Sequence, residues 1–184
     1  MHGMYLFRTN QFRHPLPYSI FYEHSATLNI MTRLLFICHG NICRSPMAQS
    51  VMQHLVNTQN LSSQFIIDSR ATSREEIGNA PHPGTVRQLA SLNIPLIPHR
   101  ATQLLPTDYD QWDYLIGMDS INMRNIMRIV KTDPDQKVSM LLDFTSHPRD
   151  IDDPWYTGNF SETYRDVREG CEALLAKLVK EKSV

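Results

Sequence analysis

Leu34-Leu35-Phe36-Ile37-Cys38-His39-Gly40-Asn41-Ile42-Cys43-Arg44-Ser45-Pro46 decides how this chain is read. Leu34 to Ile37 is a continuous apolar run, as in a strand buried on both faces of a sheet. Ser45 and Pro46 then open a helix predicted over residues 45–57, with Ser45 as its cap and Pro46 at its first position. Met47, Val51, Met52 and Leu55 recur at helical spacing behind them. Strand and helix patterns alternate from there to the C-terminus. Phe65-Ile66-Ile67 reads as a second strand, 85–92 as a helix, 112–118 as a third strand and 120–130 as a helix. Residues 138–142 read as a fourth strand, and 162–182 as a closing helix with Tyr164, Val167, Cys171, Leu174, Leu175 and Leu178 on one side. This alternation predicts an α/β fold in three layers, a four-stranded parallel twisted sheet with helices on both faces. No internal repeat or low-complexity tract interrupts it.

The 184 residues, 41% of them hydrophobic, suit one folded domain of ordinary size. A net charge of -1 argues against nucleic acid as a partner, so any anion site is local. No apolar run approaches the ~20 residues that span a bilayer, and no membrane partner is expected. The three cysteines, Cys38, Cys43 and Cys171, are too few and odd in number for a secreted disulfide framework, which points to a reducing, cytoplasmic setting. Residues 1–30 differ from the rest. They carry Arg8 and Arg13 but one acid, Glu23, and His14-Pro15-Leu16-Pro17 breaks any helix. They are read as a poorly ordered extension dispensable for chemistry, with Met31 as a natural first residue of the domain over 31–184.

The loop between the first strand and the first helix lies where an open α/β sheet holds its ligand. Backbone N–H groups converge there and the helix dipole favours an anion. The nucleotide-binding pattern Gly-x-x-x-x-Gly-Lys-[Ser/Thr] is absent. Instead Cys38 opens the loop and Arg44 closes it. Phosphoryl transfer to sulfur needs a thiolate, and a helix N-terminus with a neighbouring Arg favours that form. Arg44 can grip two phosphate oxygens as a fork, which no Lys can do. Gly40 allows unusual backbone angles or the close approach of an anion, and Asn41 tolerates left-handed backbone while its side chain ties the loop together. The Ser45 hydroxyl can donate to the Cys38 sulfur.

Cys-x-Gly-Asn-x-Cys-Arg-Ser, as Cys38 to Ser45, resembles the signature of the low-molecular-weight protein tyrosine phosphatases. Its six fixed positions arise by chance on the order of once in 10⁸ start sites. Asp68 to Ser73, Pro98 to Gln103, Met118-Asp119 with Asn122, and Asp152 to Gly158 resemble further family segments in family order, so the likeness covers 33–178. The resemblance implies hydrolysis of phosphotyrosine proteins or small aryl phosphates through a cysteinyl-phosphate. It implies Cys38 as nucleophile, Arg44 as phosphate clamp and Asp153 as general acid. It implies phosphate binding and loop support from His39, Gly40, Asn41, Ile42, Cys43, Ser45, Ser69 and His99, and a substrate cleft with Glu75, Trp155 and Tyr156. No cofactor or metal is expected, and the chain is expected to act as a monomer or with weak self-association.

The chain departs from the family in places. Trp155 stands where a second Tyr is common, Thr102 where an Arg is common, and Arg74-Glu75-Glu76 where the cleft wall often carries an aromatic. These differences bear on peptide preference rather than on chemistry. Other residues have plainer readings. Cys43 either packs or forms a reversible disulfide that protects Cys38 from over-oxidation. Cys171 reads as core, His54 and His82 as surface, and Met47 and Met127 as core filler. Asp152 competes with Asp153 as the acid, and geometry must decide. Two rival functions remain. An arsenate reductase of the same fold needs a resolving cysteine pair beyond the loop, where only Cys171 lies. A phosphotyrosine-binding pseudophosphatase would not need Cys38, Arg44 and Asp153 together.

Overall fold

In a computed structural model, which describes residues 31–182, a parallel sheet is wrapped by helices on both faces. The strands are β1 (Thr32–Cys38), β2 (Phe65–Ala71), β3 (Tyr114–Gly117) and β4 (Val138–Met140). The helices are α1 (Arg44–Thr58), α2 (Pro83–Ser91), α3 (Asp108–Gln111), α4 (Ser120–Val130), α5 (Pro154–Thr157) and α6 (Phe160–Lys182). The strand order is β2-β1-β3-β4, with every pair parallel. The expected four-stranded α/β sheet is therefore present. The extension assigned to residues 1–30 lies outside the described residues.

The apolar run of β1 supplies both cores because successive side chains point to opposite faces. Leu34 and Phe36 join Met47, Val51, Val167, Cys171 and Leu174 in the layer under α1 and α6. Leu35 and Ile37 join Tyr109, Trp112, Leu115, Ile126 and Val130 in the layer under α3 and α4. Strand β1 thus sits centrally, with β2 on one side and β3 on the other. Its C-terminal end is the switch point of the sheet, where an open α/β fold leaves a crevice for a ligand.

Several boundaries differ from expectation for physical reasons. Helix α1 starts at Arg44, and neither Ser45 nor any other side chain caps it. Ser45 lies inside the first turn, so the helix's leading amides keep their place at the crevice. Pro46 is tolerated there because the first four N–H groups of a helix have no partner within it. The fourth strand ends at Met140, because Leu141 and Leu142 enter a 3₁₀ turn over Leu141–Phe144 and bury themselves in the core instead. Trp112 ends α3 rather than starting β3. Met127 lies on the exposed side of α4, unlike the fully buried Met47.

Candidate active site

The loop from Cys38 to Arg44 wraps around the Cys38 sulfur. Sγ lies 3.0 Å from Ser45 Oγ and accepts the Asn41 N–H at 3.3 Å. Asn41 takes left-handed backbone, φ 56°, which Asn adopts more readily than most residues. Its side chain makes three hydrogen bonds and uses both its donor hydrogens. Oδ1 accepts the Thr102 N–H, and Nδ2 donates to Ser45 Oγ and to Ser69 Oγ. Because Ser45 Oγ accepts from Asn41, its own hydrogen is free to point at the Cys38 sulfur. Ser69 Oγ passes the chain on, donating to Gln49 Oε1 at 2.7 Å. Asn41, Ser45 and Ser69 are wholly buried, so the network is costly to break.

The loop is also strapped from outside. Thr72 N–H donates to the Cys38 carbonyl and Ser73 N–H to the His39 carbonyl, extending the β1–β2 pairing past the strand ends. The His99 ring donates from Nε2 to the Asn41 carbonyl at 3.0 Å. Burial lowers the His99 pKa, and the carbonyl acceptor requires the hydrogen on Nε2. Gly40 does not use left-handed backbone. A Cβ there would come 3.1 Å from Glu76 Cγ, a tight contact that the Glu76 side chain would have to shift to relieve.

Arg44 is buried to 2% exposure and stands between two carboxylates. Nη1 donates to Asp119 Oδ2 and to the Ile151 carbonyl, and Nη2 donates to Asp153 Oδ2. Burial opposes its charge, but Cys38, Asp153 and Asp119 outweigh that and hold its pKa above the usual arginine value. Asp119 caps α4, accepting the Asn122 N–H, which fixes the carboxylate that orients the guanidinium. Asp153 caps α5, accepting the Trp155 N–H on Oδ1. Arg44 Nε is buried with no hydrogen-bond partner among the described residues. A buried guanidinium N–H of this kind is suited to an anion's oxygen.

An open cleft leads from the surface to this loop, lined by Cys38, His39, Ile42, Asp153, Trp155 and Tyr156 among others. Asp153 faces the cleft, whereas the exposed Asp152 does not line it. Glu75 stands on its rim, 3.0 Å from His39 Nε2. Glu76 also lines it, with one oxygen held by Asn79. Most of the residues singled out in the sequence line this cleft, with Asn41, Ser45, Ser69 and His99 behind the loop, while Arg44 lines an adjoining depression with Asp119 and Asp152. Sequence reasoning missed the support from Gln49 and from the Ile151 carbonyl. Cys43 is buried and its thiol is pushed up to about 12, first by burial and then by Cys38 and Asp153. Cys171 is fully buried in the core, where burial pushes its thiol up as well. Among the described residues no group of acidic, His and Cys side chains is arranged to hold a metal. No helix there is long and apolar enough to cross a membrane.

The family model described as low molecular weight phosphotyrosine protein phosphatase matches residues 33–184. The chain belongs to this phosphatase family. The low molecular weight protein-tyrosine-phosphatase YfkJ of Bacillus subtilis is 37% identical over 156 residues, covering 84% of this chain and 100% of YfkJ. The crystal structure of YfkJ matches with a TM-score of 0.80, over 83% of this chain and 97% of that one. The low molecular weight protein tyrosine phosphatase of Streptococcus pyogenes, SP-PTP, is 40% identical, with a TM-score of 0.72 over 80% of this chain and 93% of that one. Membership in the phosphatase family covers the cleft and every element that builds it.

Proposed function

We propose that this phosphatase hydrolyses phosphotyrosine in proteins, and small aryl phosphates, through a phosphate ester on Cys38. The observation that carries the reading is the Cys38 sulfur at the floor of the cleft, with Ser45 Oγ at 3.0 Å and the Asn41 N–H at 3.3 Å. Both contacts can stabilise negative charge on the sulfur, during attack and again when it leaves.

The substrate phosphate enters the loop and takes over Arg44 from Asp153. Its oxygens engage the loop amides and the guanidinium, including Nε. Asp153 enters the step carrying a proton, as a general acid must. The Cys38 thiolate attacks phosphorus. The S–P bond forms, the P–O bond to the aryl group breaks, and the Asp153 proton goes to the departing oxygen. A water then attacks phosphorus and gives its proton to the Asp153 carboxylate. The S–P bond breaks, the thiolate is restored, and inorganic phosphate leaves. Ser69, His99 and Asn41 support the loop throughout, and Trp155 and Tyr156 flank the aromatic ring of the substrate.

The test of the acid compares leaving groups. Asp153→Asn lowers kcat/KM on phenyl phosphate by about 10²-fold or more, and less on p-nitrophenyl phosphate, whose phenolate departs unaided. Asp152→Asn shows no such dependence. The opposite pattern assigns the acid to Asp152.

A further inference from the structure

We infer that His82 is a positioning residue for the general acid, holding the Asp153 segment over the cleft through the ring of Trp155. The inference rests on the assignment of Asp153 given above. It starts from a residue that the sequence alone presents as surface.

His82 is half-buried and fixed at three points. Its backbone N–H donates to the Ile42 carbonyl at 2.8 Å, tying it to the phosphate loop itself. Its Nδ1 accepts the Gly84 N–H at 3.0 Å, which caps α2 and sets the ring's orientation. One face of the ring stacks on Phe160, the first residue of α6, with centroids 5.0 Å apart and planes within 4°. Gly84 leaves room for that stack, because a Cβ there would lie 2.3 Å from the Phe160 ring.

The ring so fixed meets Trp155 edge-on, with centroids 5.8 Å apart and an interplanar angle of 75°. The backbone N–H of Trp155 in turn donates to Asp153 Oδ1 at 3.1 Å. A physical chain therefore runs from the phosphate loop through His82 and Trp155 to the carboxyl group. Helix α5 has four residues, too few to hold a shape by its own hydrogen bonds. Trp155 is 55% exposed, so most of its indole does not anchor it in a core. When substrate takes Arg44 away from Asp153, the Arg44–Asp153 ion pair no longer holds the segment. The contact with His82 persists, and it keeps the acid near the leaving oxygen rather than swinging into solvent.

The experiment separates ring from cap. H82N retains a side-chain oxygen able to accept the Gly84 N–H but removes the ring. H82F retains the ring but removes the acceptor. An edge-on aromatic contact shifts an equilibrium by roughly 2- to 12-fold. H82N is therefore expected to lower kcat/KM on phenyl phosphate by up to about tenfold, with a smaller loss on p-nitrophenyl phosphate; its thermal midpoint also falls, because the stack on Phe160 goes with the ring. H82F is expected to keep the wild-type ratio between the two substrates while its thermal midpoint falls. A wild-type ratio in H82N, or activities in both variants that simply follow the thermal midpoint on both substrates, overturns the inference. If H82N does not fold, H82Q replaces it with the same expectation. D153N is measured alongside. If D153N is insensitive to the leaving group, the assignment of Asp153 fails and the inference with it. If D153N is sensitive and H82N is not, the inference alone fails.

Discussion

Replacing Asn41 probes the phosphate loop at its most constrained point. Asn41→Ala removes hydrogen bonds to Thr102, Ser45 and Ser69, all from a fully buried side chain. Such bonds contribute ~0.5–1.5 kcal/mol each to net stability, so their loss costs about 3 kcal/mol. Alanine must also hold φ 56°, which adds about 1 kcal/mol. The total, about 4 kcal/mol, is a large part of the ~5–15 kcal/mol that keeps a domain folded. Asn41→Gly loses the same bonds without the backbone strain, so it is expected to be about 1 kcal/mol more stable than Asn41→Ala. Urea unfolding of the three proteins measures this, and kcat/KM on p-nitrophenyl phosphate follows the loop. Both variants lose activity, because the Ser45 hydroxyl is no longer held toward the Cys38 sulfur. An Asn41→Ala variant within 1 kcal/mol of wild type, or a glycine variant less stable than the alanine one, refutes this account of the loop.

Three further outcomes are expected. Arg44→Lys keeps the charge but loses most of the turnover, because an ammonium cannot bridge two phosphate oxygens as a fork; steady-state kinetics near wild type would make Arg44 structural. Peroxide inactivation should be reversed by thiol through a Cys38–Cys43 disulfide, formed faster as pH rises because the Cys43 thiol is pushed up to about 12; peptide mapping that finds only Cys38 sulfinate removes that role. Phosphopeptides with acidic flanks should show a higher KM than neutral ones at low salt, through repulsion by Glu75 and Glu76 on the cleft, and the difference should shrink as salt is added; equal kinetics for both peptide classes would exclude a steering effect of this wall.

The phosphate loop was legible in the sequence because its chemistry is local. Strand, loop and helix start are contiguous, and Cys38, Asn41, Arg44 and Ser45 act within one turn of chain. The partners of Arg44 were less legible, since Asp119 lies 75 residues away and the Ile151 carbonyl 107 residues away. Asp119 was quoted as part of a family segment, but nothing in periodicity shows that a helix cap also clamps an arginine. Ser45 misled in the opposite sense. A Ser-Pro pair reads as a cap and first turn, yet here the hydroxyl serves the sulfur and the helix is left uncapped. One-turn helices such as α3 and α5 have too few residues for a 3.6-residue period to register. His82 looked like surface because its ring contacts join α2, α5 and α6, which only the tertiary fold brings together.

The central claim is that phosphate passes through sulfur at Cys38. The direct measurement is an acid quench during turnover of a phosphotyrosine peptide, followed by digestion and mass mapping of every Cys, His, Ser and Asp peptide. The account predicts phosphate on the Cys38 peptide of the wild-type protein, and neither adduct nor turnover in Cys38→Ser, which still binds vanadate through the loop amides and Arg44. Phosphate trapped on another residue, or hydrolysis that continues in Cys38→Ser, would contradict it.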